Sequence, residues 1–219
     1  MNDLIRLLPD FWEAAAETLY IVALSLLFGG ILGLVLGVAV YATRSGGLFA
    51  NRAASAILGV IINTFRPIPF IIFLAAAQPL ARLVVGKGIG INAVIFTIAL
   101  AASFAIARLV EQNLLTVQPG VIEAARAMGA SRWRTLLTIV VPEALGPLVL
   151  SGTFVVIALV DMSAQAGLIG GGGLGYFAIQ YGYLQFNPWV TWAALVLLIV
   201  FVQVIQYLGN LLARRILRR

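Results

Sequence analysis

EAARAMGASRWRTLLTIVVPEA, from Glu123 to Ala144, interrupts a chain that is otherwise overwhelmingly apolar. The segment is too polar to cross a membrane and too short to be a domain. Just before it, Pro119 and Gly120 predict a turn, and Val121 to Met128, rich in alanine, glutamate and arginine, predicts a helix. Gly129 is placed to end that helix as a left-handed cap. Ser131 is placed to cap a second helix, and Pro142 marks re-entry towards the membrane. The expected product is a helix, a glycine turn and a second helix along a membrane face. Ala124, Ala125 and Ala127 give it a small surface, suited to a groove on a partner. Physics alone leaves an interfacial helix without a partner equally open.

The rest of the chain makes the membrane unavoidable. Of 219 residues 62% are hydrophobic and only 10% charged, and the mean hydropathy is +1.07. A soluble domain carries about 25% charged residues, so this chain lacks the polar groups to cover a water-facing surface. The formal charge of +6 does not indicate nucleic acid, because the basic residues flank apolar runs. Cysteine and histidine are both absent, which removes disulfides, thiolate chemistry, the usual zinc sites and a histidine base. Asp3, Asp10, Glu13 and Glu17 stand against Arg6 at the N-terminus, the reverse of a cleavable signal, so the first span is expected to be retained.

Five spans are predicted: roughly 19–41, 53–77, 89–107, 145 to at least 160, and 189–212. Each is long enough for about 30 Å of hydrocarbon. Asp10, with Glu13 three residues on, predicts a capped interfacial turn leading into the first. FRPIP (Phe65 to Pro69) breaks the second. With the N-terminus outside, the inner side receives Arg44, Arg52, Arg108, Arg126, Arg132, Arg134, Arg214, Arg215, Arg218 and Arg219. The outer side receives Arg6, Arg82 and Lys87. That ten-to-three split predicts N-terminus out and C-terminus in. Residues 1–219 then form one all-α membrane domain with a cytoplasmic loop at 108–141. The loop at 170–188 faces outward, glycine-rich (IGGGGLG, Ile169 to Gly175) and then aromatic: Tyr176, Phe177, Tyr181, Tyr183, Phe186, Trp189 and Trp192 are expected at the interface.

No catalytic constellation is legible. VVGKGIG around Lys87 lacks the spacing and the following hydroxyl of a phosphate-binding loop, and no nucleophile, base and carboxylate set exists. No metal site is expected, and an enzyme is not.

Here the residues carry a resemblance. Glu123-Ala124-Ala125, Gly129, Ile139 and Pro142 resemble the EAA loop of ATP-binding-cassette importer permeases: EAA, three residues, Gly, nine residues, Ile, one residue, Leu-Pro. Val141 stands where leucine is usual. FRPIPF (Phe65 to Phe70), GGGGLG (Gly170 to Gly175) and QYGY (Gln180 to Tyr183) are similar to the methionine-uptake subfamily. The resemblance covers about residues 13–212. It implies a type I importer-like permease fold in the bacterial cytoplasmic (inner) membrane. It also implies a second copy of the chain, two cytoplasmic ATPase subunits holding ATP and Mg, and a periplasmic or lipid-anchored binding protein. This chain itself would carry no cofactor. The EAA helix would dock in a cleft of the ATPase. The implied cargo is an amino acid, methionine first; another amino acid or a short peptide is the alternative. An ATPase-independent channel or scaffold is the reading from a different class.

Single residues sharpen the expectations. Gly29, Gly33 and Gly37 form a small-xxx-small stripe that predicts close helix packing, within the chain or against a neighbour. Arg66, within a span, either satisfies carbonyls freed by Pro67 and Pro69 or faces the pathway and meets a substrate carboxylate. Asp161, with Met162, Ser163 and Gln165, follows TFVVIALV in the fourth span. The subfamily, as the resemblance has it, is less acidic there, which bears against methionine. Three roles stay open for Asp161: holding a substrate ammonium, pairing with Arg66 or a neighbour's lysine, or simple solvation. The terminal ARRILRR (Ala213 to Arg219) is expected to read anionic headgroups of membrane lipid.

Overall fold

The computed structural model describes residues 6–217; Asp3, Arg218 and Arg219 lie outside them. The first helix, α1, runs Leu8–Thr43, about 54 Å at 1.5 Å per residue. It begins eleven residues before the predicted span. Pro9 sits in its first turn, where no backbone N–H is missed. Asp10 is therefore not a cap: Leu7 occupies the N-cap without a side-chain bond, and Asp10 lies inside the first turn, where its charge favours the helix dipole.

The predicted second span is a broken element. Asn51 caps α2 (Arg52–Phe65) by accepting the Ala54 N–H at 3.0 Å. Pro67 and Pro69 then withhold two donors, and α3 (Phe70–Ala76) leaves at 105° to α2. Phe65 bridges the corner, stacked on Phe104 at 5.0 Å and edge-on to Phe73 at 6.4 Å. A short α4 (Gln78–Val85) follows.

The third span, α5, runs Ile91–Leu114, about two turns past its predicted end. Arg108 and Glu111 lie inside it as an i, i+3 ion pair, so the connecting segment begins at Leu115 rather than Arg108. α6 is Pro119–Ala127; Pro119 and Gly120 are its opening residues and not a separate turn. α7 (Arg132–Thr135), a π-turn (Leu136–Val140) and α8 (Val141–Glu143) lead to α9 (Leu145–Ala166). A 3₁₀ turn (Gly167–Ile169), α10 (Gly173–Phe177) and a second π-turn (Ala178–Tyr183) precede α11 (Pro188–Leu217). No strand occurs among the described residues. Among the described residues four helical segments are long and apolar enough to cross a bilayer, and the bent α2–α3 pair, taken as one span, makes a fifth.

The core is built on α1 against α5. A Cβ on Gly29 would stand 2.7 Å from the Ala99 carbonyl oxygen, one on Gly33 2.6 Å from Ile106 Cβ, and one on Gly37 2.5 Å from the Ala107 carbonyl. The glycine stripe therefore packs within the chain, letting two backbones approach as larger residues cannot. Ile21, Ile98, Leu114, Leu136, Val140 and Leu159 fill the main core behind it. Phe11, Leu174, Phe177 and Val190 form a smaller one at the end where α1 begins. Phe177 is thus interior, edge-on to Phe11 at 5.5 Å, and not an interfacial ring. Tyr183, Phe186, Trp189 and Trp192 are exposed as expected.

Candidate functional site

The polar interruption folds as its residues dictate. Gly129 has φ +80°. Its N–H donates to the Arg126 carbonyl at 3.0 Å, and the Ala130 N–H donates to the Ala125 carbonyl at 3.1 Å. Those two bonds make a Schellman cap, satisfying carbonyls that α6 would otherwise leave open. Ser131 then caps α7, its hydroxyl accepting the Arg134 N–H at 3.3 Å. The angle between the two helices is set by one left-handed residue between two hydrogen-bonded caps.

α6 has two faces. Ala125 is buried against the protein, while Val121, Glu123, Ala124, Ala127 and Met128 are exposed, Met128 by 81%. Val121, Ala124 and Met128, at i, i+3 and i+7, make a narrow apolar stripe on the exposed side. α7 is tied back to the domain by Trp133, whose ring lies 4.6 Å from that of Phe49. Leu136 and Val140, both fully buried, anchor the π-turn. Ile139 is half-buried and Pro142 exposed. Pro142 does not break the chain into a loop. The Val141 N–H bonds back to the Leu136 carbonyl in π register, and the wider turn receives the proline ring that an α-helix would exclude. Arg132 to Ala166 is thus one nearly continuous helical path.

The residues predicted for a pathway do not gather into one cluster. Asp161 and Gln165, one turn apart on α9, share a face: Gln165 Nε2 donates to Asp161 Oδ2 at 2.8 Å, and Asp161 is exposed on the chain's surface. Met162 packs half-buried towards α5. Ser163 is buried, and its hydroxyl has no partner among the described residues. Arg66 is exposed at the C-cap of α2. Among the described residues its guanidinium makes no ion pair with Asp161 and no hydrogen bond to the carbonyls upstream of the prolines; its backbone N–H bonds to Ile62.

One polar site escapes sequence reasoning. Glu17 Oε2 accepts the Gly173 N–H at 2.7 Å, and Thr18 Oγ1 accepts the Leu174 N–H at 2.8 Å while donating to the Ala14 carbonyl at 3.0 Å. Two adjacent side chains of α1 thereby cap α10 and clamp the glycine-rich segment to the first span. A Cβ at Gly172 would stand 2.9 Å from Glu17 Oε2 and one at Gly173 2.8 Å from Thr18 Oγ1. The glycines are thus the counterpart of the clamp. The one available signal was Glu17 at the edge of an apolar run.

Comparison with known proteins places this geometry. The family described as binding-protein-dependent transport system inner membrane component matches residues 29–218. The probable D-methionine transport system permease protein MetI of Vibrio cholerae is 39% identical over 203 residues, covering 93% of this chain and 90% of that one. The methionine import system permease protein MetP of Bacillus subtilis is 37% identical over 212 residues, covering 97% and 96%. Two crystal forms of the MetNI methionine ABC transporter in inward-facing conformations superpose with TM-scores of 0.91 and 0.92. Their identities are 41% and 40%, covering 94% and 99% of this chain and 95% and 99% of theirs. An amino acid ABC transporter crystallised with histidines shares the fold at a TM-score of 0.79 and 20% identity. With its α-helical architecture, its exposed EAA segment and a family match over most of its length, the chain belongs to the binding-protein-dependent transport system inner membrane components, the permeases of ABC importers.

Proposed function

We propose that this chain is the permease of an ATP-driven methionine importer, working as two copies with two cytoplasmic ATPase subunits and a periplasmic or lipid-anchored binding protein. The observation that carries the reading is the exposed α6 helix, its Schellman turn and α7, at the spacing Glu123, Ala124, Ala125, Gly129, Ile139 and Pro142. Relatives named for methionine import, alike over nearly the full chain, support the cargo. The ten-to-three arginine and lysine split supports the N-terminus outside and the C-terminus, with α6, in the cytoplasm.

In this reading α6 lays Val121, Ala124 and Met128 into a cleft of the ATPase, where small side chains admit close approach. ATP and Mg act on that partner. Closure of the ATPase pair displaces the two α6 helices together, and α7 passes the displacement into α9. The pathway then alternates between two packed states biased by nucleotide. Asp161, exposed on α9, and the half-buried Gln165 bonded to it face the second copy and the pathway. Asp161 is suited to a substrate ammonium and Arg66 to its carboxylate.

The test is purification of the tagged chain from its native membrane, followed by reconstitution and uptake of labelled methionine in competition with other amino acids. Expected is a stoichiometric ATPase, lost when Glu123 and Gly129 are both replaced, and uptake that unlabelled methionine competes away. A chain that co-purifies with no ATPase would move the channel or scaffold reading ahead. Uptake blocked by a different amino acid would overturn methionine alone.

A further inference from the structure

An open cavity of about 670 Å³ lies between α1, α5, α9 and α11. On α9 it runs from Leu145 to Val156, about 16 Å at helical rise. That is about half of a 30 Å hydrocarbon core, the depth of one leaflet. On α1 its wall is Leu26, Gly30 and Leu34, at i, i+4 and i+8. Of its three polar side chains, Asn113 and Thr153 have spent their donors internally and Ser151 accepts from Asn113. Asn113 Nδ2 donates to Ser151 Oγ at 2.7 Å and to the Leu109 carbonyl at 2.8 Å; Thr153 Oγ1 donates to the Val149 carbonyl at 3.2 Å. A polar solute entering here would lose its hydration and gain little in return. A hydrocarbon chain would lose nothing.

The charge at the mouth specifies more than hydrocarbon. The α11 wall, Ile205, Leu208 and Leu212, continues one turn further to Arg215, with Arg214 beside it. Both arginines are exposed, and neither is in an ion pair among the described residues. Glu111 and Glu143, the carboxylates nearest in sequence to the lining residues, are not among them, and Glu111 is already paired with Arg108.

We infer that this crevice is a phospholipid site, one acyl chain lying between α1 and α11 and an anionic headgroup meeting Arg214 and Arg215. Basic residues at the end of an inter-helix pocket recognise anionic headgroups. The occupant belongs to the cytoplasmic leaflet, an assignment that rests on the orientation proposed above; binding itself does not depend on that orientation.

The crevice has two positions from which it can be filled without disturbing the fold. A Cβ at Gly152 meets nothing within 4 Å, and one at Gly30 meets only Leu26 Cδ1 at 3.9 Å. The experiment is native mass spectrometry of the permease–ATPase complex, stripped of lipid and titrated with phosphatidylglycerol or phosphatidylcholine of identical acyl chains. Expected is one phosphatidylglycerol per permease chain, retained with about thirtyfold preference, the scale of two interfacial arginines. Replacing both, Arg214→Gln with Arg215→Gln, removes the preference and leaves phosphatidylcholine binding unchanged. Gly152→Phe and Gly30→Leu each lower the occupancy of both lipids while complex yield and Tm hold; if one of them fails to assemble, the other carries the reading. Equal retention of the two lipids by the wild-type complex overturns the headgroup assignment. Undiminished phosphatidylglycerol in the crevice-filling variants overturns the crevice, and separation of the two permease copies in those variants gives it to the second copy instead.

Discussion

Gly129 holds φ at +80° between two capped helices, and replacing it separates backbone geometry from every contact. A Cβ there meets nothing within 4 Å. Alanine therefore introduces no clash, and its cost is that of a side chain in the left-handed region, about 1–2 kcal/mol. If docking on the ATPase requires the α6–α7 angle seen here, that cost lowers the population of the competent turn and raises the apparent Kd by about five- to thirtyfold. Valine, β-branched, costs more at positive φ.

Gly120 provides the control. It lies in the first turn of α6, with no φ in the positive range and no neighbour within 4 Å. Gly120→Ala favours the helix by at most about 1 kcal/mol, the opposite sign. The assay is titration of the purified ATPase onto the permease in nanodiscs, with the Tm of the permease alone as a check on its fold. The expected order of Kd is Gly120→Ala at or below wild type, then Gly129→Ala, then Gly129→Val. A Gly129→Val permease that binds ATPase with wild-type affinity and unchanged Tm would refute the claim that this turn presets the docking angle.

Three further outcomes follow from packing and hydrogen bonding. Gly33→Val places a branched side chain where a Cβ is already 2.6 Å from Ile106 Cβ, so α1 and α5 must part by about 1 Å from the usual 3.5–4.0 Å carbon contact. The cost is about 1–3 kcal/mol and appears as a lower Tm, while Gly30→Ala on the same helix leaves Tm unchanged; equal Tm for both would show that the stripe is not the contact. Thr18→Val leaves the buried Leu174 N–H without its acceptor, at about 1–3 kcal/mol, and Glu17→Ala removes a charge-assisted bond of about 1.5–3 kcal/mol. Both lower Tm and uptake while the ATPase still co-purifies, and a variant with wild-type values in all three readings would detach the clamp from transport. Asp161→Asn keeps an acceptor for Gln165 but loses the charge; uptake falls with assembly intact, and wild-type uptake would remove Asp161 from the pathway.

The segment from Val121 to Ser131 was legible because its signals are local: alanine and glutamate favour helix, Gly129 tolerates positive φ, and a serine oxygen reaches an N–H three residues on. The spans were legible because hydropathy is a sum over neighbours. Their ends were not. Pro9 is harmless in a first turn and Arg108 is neutralised by Glu111 one turn on, so α1 and α5 run past the residues that marked their limits. Partners far apart in sequence were invisible altogether. Glu17 and Gly173 stand 156 residues apart, and nothing in either neighbourhood names the other. Phe177 was read as interfacial by composition, yet only the packing of α10 on Phe11 distinguishes it from Tyr183 or Phe186. Arg66 and Asp161 form no pair within one chain, so any meeting between them must involve the second copy or a substrate.

The position of α9 gives these separate features a mechanical relation. Its lower end is continuous with α7 through a π-turn whose Leu136 and Val140 are locked in the core. A displacement imposed at Gly129 therefore has no slack loop in which to dissipate before Leu145. From Leu145 to Asp161 the helix carries it about 24 Å, across most of a bilayer's hydrocarbon. At the upper end Gly175 lies against the Ala164 backbone and Gly167 against Gly175 and Tyr176. Motion of α9 there must therefore be shared by α10, and α10 is held to α1 by Glu17 and Thr18. A rigid strut pushed at one end and clamped at the other can respond by rocking α1 and α9 together or by releasing the clamp. The first keeps Gly173 and Leu174 bonded throughout the cycle; the second exposes two backbone donors in the alternate state. Hydrogen exchange at those two amides, compared between nucleotide-free and ATP-trapped complexes, separates the two responses.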